Sequence, residues 1–86
     1  MDITGYRNKI DRIDEEIVRL FKERLEVCDR IAEYKKNHDI PIYDEKRECE
    51  KLALVSDFAK DEADKELTIE LFKKIMELSK RRQQTK

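Results

Sequence analysis

A cation stands where an apolar residue belongs. Tyr6, Ile10, Ile13, Ile17, Leu20, Arg24, Val27, Ile31 and Tyr34 follow a strict four-three spacing, the seam of a long helix that packs on other helices. Arg24 therefore points a guanidinium into a packing face, where leaving it unpaired costs on the order of several kcal/mol. Something anionic, a protein carboxylate or a ligand, should meet it. Lys35 lies eleven residues further on, about 16 Å along a helix axis and within about 20° of the same face, so both side chains can converge on one small molecule. Arg7 lies seventeen residues before Arg24, about 25 Å away and turned by about 100°, beyond the reach of a metabolite held by Arg24 of the same chain. If Arg7 joins such a site, it joins from a second copy. Asp44, Arg47 and Glu48, spaced i, i+3 and i+4, project from one helix face and combine a cation with two acceptors. Ser79 and Gln83, again i and i+4, offer a hydroxyl and an amide. A cation-rich set with neutral donors and a spare carboxylate suits a small polyanion that bears a hydroxyl.

Positioning those groups requires helices. A single Gly, a single Pro and abundant Glu, Lys, Arg, Leu and Ile leave little turn chemistry for a sheet. The pattern predicts an all-α fold of three helices in one domain spanning residues 1–86. The first helix, capped by Asp2 or Thr4, runs without a breaker to about Asn37; the segment from Asn37 to Tyr43 around Pro41 is a loop. Asp44 opens a second helix whose apolar positions Leu52, Val55 and Phe58 form a short buried face. A polar patch from Asp57 to Asp64 reads as a turn with a fresh cap. The third helix carries Leu67, Leu71, Phe72, Ile75, Met76 and Leu78 and ends in Lys80, Arg81 and Arg82, cations suited to the negative end of a helix. A first helix of this length is a rod of roughly 50 Å, whereas a compact chain of this size is about 30 Å across. Its apolar seam continues to both ends, so the overhang needs cover from another chain. An intertwined homodimer is the expectation.

Composition sets the surroundings. The chain has 86 residues, 38% hydrophobic and 48% charged, so its own core is modest. Twenty basic against twenty-one acidic residues, with no long block of one sign, predict neither nucleic acid nor membrane as a partner. No apolar run approaches a membrane span and no signal-peptide pattern opens the chain, which predicts a cytoplasmic address. Cys28 and Cys49 form no CxxC pair and are expected to be reduced and partly buried. His38 stands alone, with no Cys, Asp or Glu at metal-ligand spacing, so no metal or other cofactor is expected.

Three segments carry a family resemblance: RNKIDRIDEEIVRLFKERLEVCDRIAEYKK, IPIYDEKRECE and LFKKIMELSKRRQQ. With the joint spacing of Arg7, Arg24, Lys35, Asp44-x-x-Arg47-Glu48, Ser79 and Gln83, they resemble the all-helical class of chorismate mutase over nearly the whole chain. The resemblance implies an intertwined dimer with two active sites, each receiving an arginine from the other subunit. It implies rearrangement of the dianion chorismate to prephenate, an isomerase step in phenylalanine and tyrosine biosynthesis, without a cofactor. Arg7 of the neighbour and Arg24 would hold the two carboxylates, with Arg47 in support and Ser79 anchoring the ring end. Lys35 and Gln83 would face the ether oxygen, Glu48 would accept from the ring hydroxyl, and Asp44 would help fix that end. Two departures bear on pocket shape: Tyr43 stands where relatives often have arginine, and Cys28 lies on the pocket side of the first helix. The chain ends just after the site, so a free-standing enzyme is expected.

Competing assignments remain open at the level of sequence. Arg24 can form a structural ion pair with Glu48 or Asp44, and Arg7 one with Asp11 a turn on. Lys35 can be solvated beside Lys36, Arg47 and Glu48 can be a chance surface pair, and Ser79 and Gln83 can belong to a frayed end. Asp44 can be simply a helix cap. At the level of function, an isochorismate–pyruvate lyase would share the arginine and lysine logic, although the acidic Asp44/Glu48 pair favours the mutase. A non-catalytic helical interaction module would explain the heptads but not a seam cation matched by donors on two other helices.

Overall fold

A computed structural model describes residues 2–85 and contains three α-helices, α1 (Ile3–Asn37), α2 (Glu45–Ala59) and α3 (Glu62–Gln84). Each boundary has a local chemical cause. Asp2 rather than Thr4 caps α1, its carboxylate accepting from the Gly5 N–H at 2.9 Å. At the other end, the His38 N–H donates to Tyr34 O and Lys35 O, and the Ile40 N–H closes back onto Lys35 O at 2.9 Å. Asp39 makes that reversal at φ 53, a left-handed conformation that aspartate tolerates better than most residues. Pro41 then prevents the helix from resuming. Asp44 caps α2 by accepting from the Arg47 N–H at 3.1 Å.

The turn between α2 and α3 is shorter than the polar composition predicts. Asp57 and Phe58 are still helical, and the reversal is confined to Lys60 and Asp61. Lys60 adopts φ 65 and ψ -51 while the Asp61 N–H reaches Ala59 O at 2.7 Å, a γ-turn. Asp61 occupies the N-cap position of α3, but its side chain makes no capping hydrogen bond. At the far end α3 continues two residues beyond Arg82, to Gln84.

The packing is open. α3 lies against both α1 and α2, whereas α1 and α2 do not pack on one another. The molecule measures 54 × 26 × 15 Å with a radius of gyration of 15.9 Å, against about 12 Å for a compact chain of this length. Its longest dimension is the 35-residue α1, whose N-terminal half extends past the other two helices. Buried side chains are correspondingly few: Cys28 and Ala32 from α1, Val55 from α2, and Met76 and Ser79 from α3.

Several residues expected inside are outside in the single chain. Tyr6, Ile10, Ile13, Ile17 and Leu20 each keep half or more of their surface in solvent, so most of the seam is not core within the protomer. Phe58, Leu67 and Leu71 are likewise exposed, and of the second helix's three apolar positions Val55 alone is fully buried. Helical periodicity identifies an apolar face without identifying what covers it. Cys28 is buried as expected, but Cys49 is exposed; both thiols are free. No helix is long and apolar enough to cross a membrane among the described residues.

Candidate functional site

Where α1 and α2 diverge from α3, a cleft of about 430 Å³ opens between the three helices. Helical phase selects its lining. From α1 come Arg24, Cys28, Ile31 and Lys35, an i, i+4, i+7, i+11 row that winds slowly down one face. The first turn of α2 and its cap supply Asp44, Arg47 and Glu48, and the next turn supplies Lys51. The last two turns of α3 supply Met76, Ser79, Lys80 and Gln83, and Ile42 closes the loop side. Seven of the residues singled out by type and spacing, Arg24, Lys35, Asp44, Arg47, Glu48, Ser79 and Gln83, thus share one cavity. Arg7 does not: it lies exposed near the start of α1, far from the cleft of its own chain. It also forms no ion pair with Asp11 among the described residues.

The half-buried Arg24 finds neutral partners. Its Nη1 donates to Ser79 Oγ and approaches Cys28 Sγ at 3.9 Å. Ser79 in turn donates its hydroxyl proton to Ile75 O at 2.7 Å, which leaves the oxygen's lone pairs facing the guanidinium. No carboxylate among the described residues lies within ion-pair distance of Arg24, so the structural pairing with Glu48 or Asp44 is not formed. Ser79 itself is buried rather than part of a frayed end. Lys35 is half-buried too, and its Nζ donates to the Ile42 carbonyl at 2.9 Å. That bond holds the ammonium over the cleft and uses one of its three protons, leaving two for a ligand.

Asp44 is a helix cap in fact, since one carboxylate oxygen accepts from the Arg47 N–H, yet it also lines the cavity. The helix N-terminus it caps adds a partial positive charge to that wall. Gln83 presents a different signature: its Oε1 is buried and has no hydrogen-bond partner among the described residues. A buried acceptor without a partner carries a cost in stability.

Two further cations line the cleft and were not singled out from the sequence. Lys51 follows Arg47 by one turn on the same face of α2, a spacing that carried the signal. Lys80 lies beside Ser79, with its Nζ 4.5 Å from the centre of the Tyr43 ring. Tyr43, half exposed, has its phenol pushed above the usual tyrosine range, first by partial desolvation and then by the negative charges of Glu45, Glu48 and Cys49. His38, outside the cleft, stacks on Tyr34 at 4.0 Å between ring centres and places its Nδ1 2.8 Å from Tyr34 O, which accounts for it as a helix-end residue. Among the described residues no group of three His, Cys, Asp or Glu is placed to hold a metal.

The cavity wall therefore carries Arg24, Lys35, Arg47, Lys51 and Lys80 against Asp44 and Glu48, an excess of positive charge within a chain whose formal net charge is -1. Fold and site together define an all-helical protein with a cation-lined cleft between its three helices. The chain belongs to the family described as chorismate mutase type II, whose profile matches residues 6–84. Curated relatives agree in part of their length. The chain is 50% identical over 49 residues, 57% of its length, to a bifunctional chorismate mutase/prephenate dehydratase of Aquifex aeolicus, of which the match covers 14%. It is 38% identical over 56 residues, 65% of its length, to a 3-dehydroquinate dehydratase of Pyrobaculum aerophilum, covering 19% of that protein. To the T-protein of Haemophilus influenzae it is 40% identical over 42 residues, 49% of this chain and 11% of that one. The matched region thus spans less than a fifth of each of these relatives. No solved structure matches significantly.

Proposed function

We propose that this chain is a chorismate mutase, rearranging chorismate to prephenate in aromatic amino acid biosynthesis, and that it works as a homodimer. The observation that carries the proposal is the gathering of Arg24, Lys35, Arg47, Glu48, Ser79 and Gln83, drawn from three separated helices, around one cation-rich cleft. Membership of the family supports it, as does the mutase activity in the name of the Aquifex relative.

The chemistry asks for what the cleft holds. Chorismate carries two carboxylates, an enol ether and a ring hydroxyl, and its Claisen rearrangement breaks a carbon–oxygen bond as a carbon–carbon bond forms within one molecule. No nucleophile or proton transfer is needed. The protein must select a compact chair-like conformer and stabilise charge that grows on the ether oxygen. Arg24, paired with no carboxylate among the described residues, takes one substrate carboxylate, with Arg47 in support and Ser79 orienting the guanidinium and the ring end. Lys35 and the Nε2 of Gln83 donate to the ether oxygen. Glu48 accepts from the ring hydroxyl, and Asp44 holds that corner through its cap.

The second carboxylate falls to Arg7 of the partner subunit. Support comes from the exposed seam of α1: a 35-residue rod with Tyr6, Ile10, Ile13, Ile17 and Leu20 in solvent has its apolar face unmatched within the protomer. An identical chain wrapped against it buries that face and brings its own α1 N-terminus to the cleft. The reduced thiols suit a cytoplasmic setting. Incubation with chorismate, followed by loss of its absorbance and identification of the product, tests the proposal. Prephenate supports it, pyruvate supports a lyase, and unchanged chorismate supports a helical interaction module.

A further inference from the structure

α3 carries two of the proposed site residues in its last two turns, Ser79 and Gln83, but its apolar anchors stop at Leu78. From Lys80 to Thr85 every side chain is polar. Helix ends fray unless they are tied down, and a carboxamide that must meet a bond-breaking oxygen tolerates little displacement.

Among the described residues, a salt bridge ties that turn to the long helix. Arg82 Nε donates to Asp29 Oδ1 at 2.8 Å and Arg82 Nη2 to Asp29 Oδ2 at 2.9 Å, a two-pronged pair across 53 residues of sequence. Arg82 directly precedes Gln83, and Asp29 directly follows the cleft residue Cys28. Residues adjacent on a helix point about 100° apart, so the pair grips the flank of both helices beside the cleft rather than filling it. Its side chains remain 41% and 24% exposed, too wet for a large share in global stability. Forked arginine–carboxylate geometry nevertheless fixes direction as well as distance, which a lysine or a single hydrogen bond does not. Asp29's hydrogen bond and charge also raise the Arg82 pKa above its ordinary value, which keeps the guanidinium half of the pair charged.

We propose that the Asp29–Arg82 pair is a positioning clamp that locks the C-terminal turn of α3 onto α1 and thereby holds the Gln83 amide over the cleft. Arg82 is a positioning residue, and its kinetic consequence rests on the mutase reading. Without the clamp the turn frays, Gln83 samples other directions, and the turnover step suffers more than substrate capture by the arginines.

The test uses the full-length chain and Arg82→Gln, which keeps the stem and removes the fork. Its kcat for chorismate should fall about tenfold to a hundredfold with KM changed by less than about threefold. Arg82→Lys should recover part of the loss. In a Gln83→Ala background, where no amide is left to aim, Arg82→Gln should cost less than about twofold more. Hydrogen exchange, which needs no turnover, should show faster exchange of the backbone amides of residues 80–84 in Arg82→Gln. A kcat for Arg82→Gln within about twofold of the unsubstituted protein, or a loss of equal size in the Gln83→Ala background, would overturn the clamp. So would unchanged exchange in the last turn. If the unsubstituted protein leaves chorismate untouched, the mutase reading fails while the exchange measurement still decides the clamp.

Discussion

Replacing Gln83 by Leu should move activity and stability in opposite directions. The side chain keeps its bulk and its helical preference but loses both the amide N–H that would donate to the ether oxygen and the Oε1 that is buried without a partner. Removing one preorganised donor to developing charge costs about 3 to 4 kcal/mol, which at about 1.4 kcal/mol per decade is a loss of roughly a hundredfold to a thousandfold in kcat. Removing an unsatisfied buried acceptor refunds a desolvation penalty of about 1 to 3 kcal/mol, so resistance to denaturant should hold or rise by up to that amount. The assay pairs initial rates of chorismate loss with urea unfolding on the same preparation. A purely structural Gln83 would show a drop in both quantities. Activity within about threefold of the unsubstituted protein would remove Gln83 from the transition state, and a stability loss above about 1 kcal/mol would show that its amide is satisfied after all. Gln83→Glu sharpens the point through protonation. A carboxyl donates only when protonated, so this variant should recover activity as the solution is acidified below about pH 5, whereas the amide of the natural residue should support turnover evenly between about pH 6 and 8.

Arg24→Ala should abolish most turnover, by roughly a hundredfold or more, because it removes a charge-assisted carboxylate contact and the orienting partner of Ser79 together; retention of full kcat would overturn the site. Arg7→Ala and Arg24→Ala should each be crippled alone but complement when unfolded and refolded together: a mixed dimer rebuilds one intact site, so a random mixture should regain about a quarter of the unsubstituted rate. No recovery would place Arg7 outside the neighbour's cleft. Ile13→Asp, at an exposed seam position, should shift sedimentation toward a largely unfolded or dissociated chain, and an unchanged dimer would show that the seam is not the interface. Tyr43 offers a pH test. Its folded pKa is raised above the ordinary value of 10.0, so its favourable contribution is intact below that value and is lost as pH rises through it toward the folded pKa. Urea unfolding across this alkaline window should therefore fall more steeply for the natural protein than for Tyr43→Phe; parallel curves would contradict the raised pKa of the half-exposed phenol.

Much of the cleft was legible because helices convert spacing into direction. Arg24 and Lys35 could be placed on one face from residue number alone, and the Asp44, Arg47 and Glu48 cluster needed only the helix start that Asp44 itself creates. What failed to be legible has a common cause: periodicity reports the face of an element and is silent about its partner. Phe58, Leu67 and Leu71 have sound helical spacing, but α3 meets α2 and α1 along other residues and leaves these exposed in the protomer. Arg82 was legible only as a cation at a helix end, and its true counterpart, Asp29, lies 53 residues away on another helix. Lys80 hid in the same basic tail, although it reaches the Tyr43 ring.

The same silence explains why site and assembly cannot be separated in this chain. A protein that buries few side chains besides Cys28, Ala32, Val55, Met76 and Ser79 gains little from its own core. Two of those five, Cys28 and Ser79, touch the guanidinium that interrupts the seam, and Met76 lines the same cleft. Three of the five buried side chains thus belong to the wall of the candidate site, while exposed apolar surface lies along α1, where a second chain would add both cover and Arg7. In such a design a seam arginine is tolerable because the layer that receives it is also the layer proposed to bind an anion. It follows that saturating chorismate, or a stable dianion of its shape, should raise the unfolding midpoint of the natural protein by an amount that grows with ligand concentration, and should do so far less for Arg24→Ala. An equal shift in both proteins would mean that the anion is held somewhere other than beside Arg24.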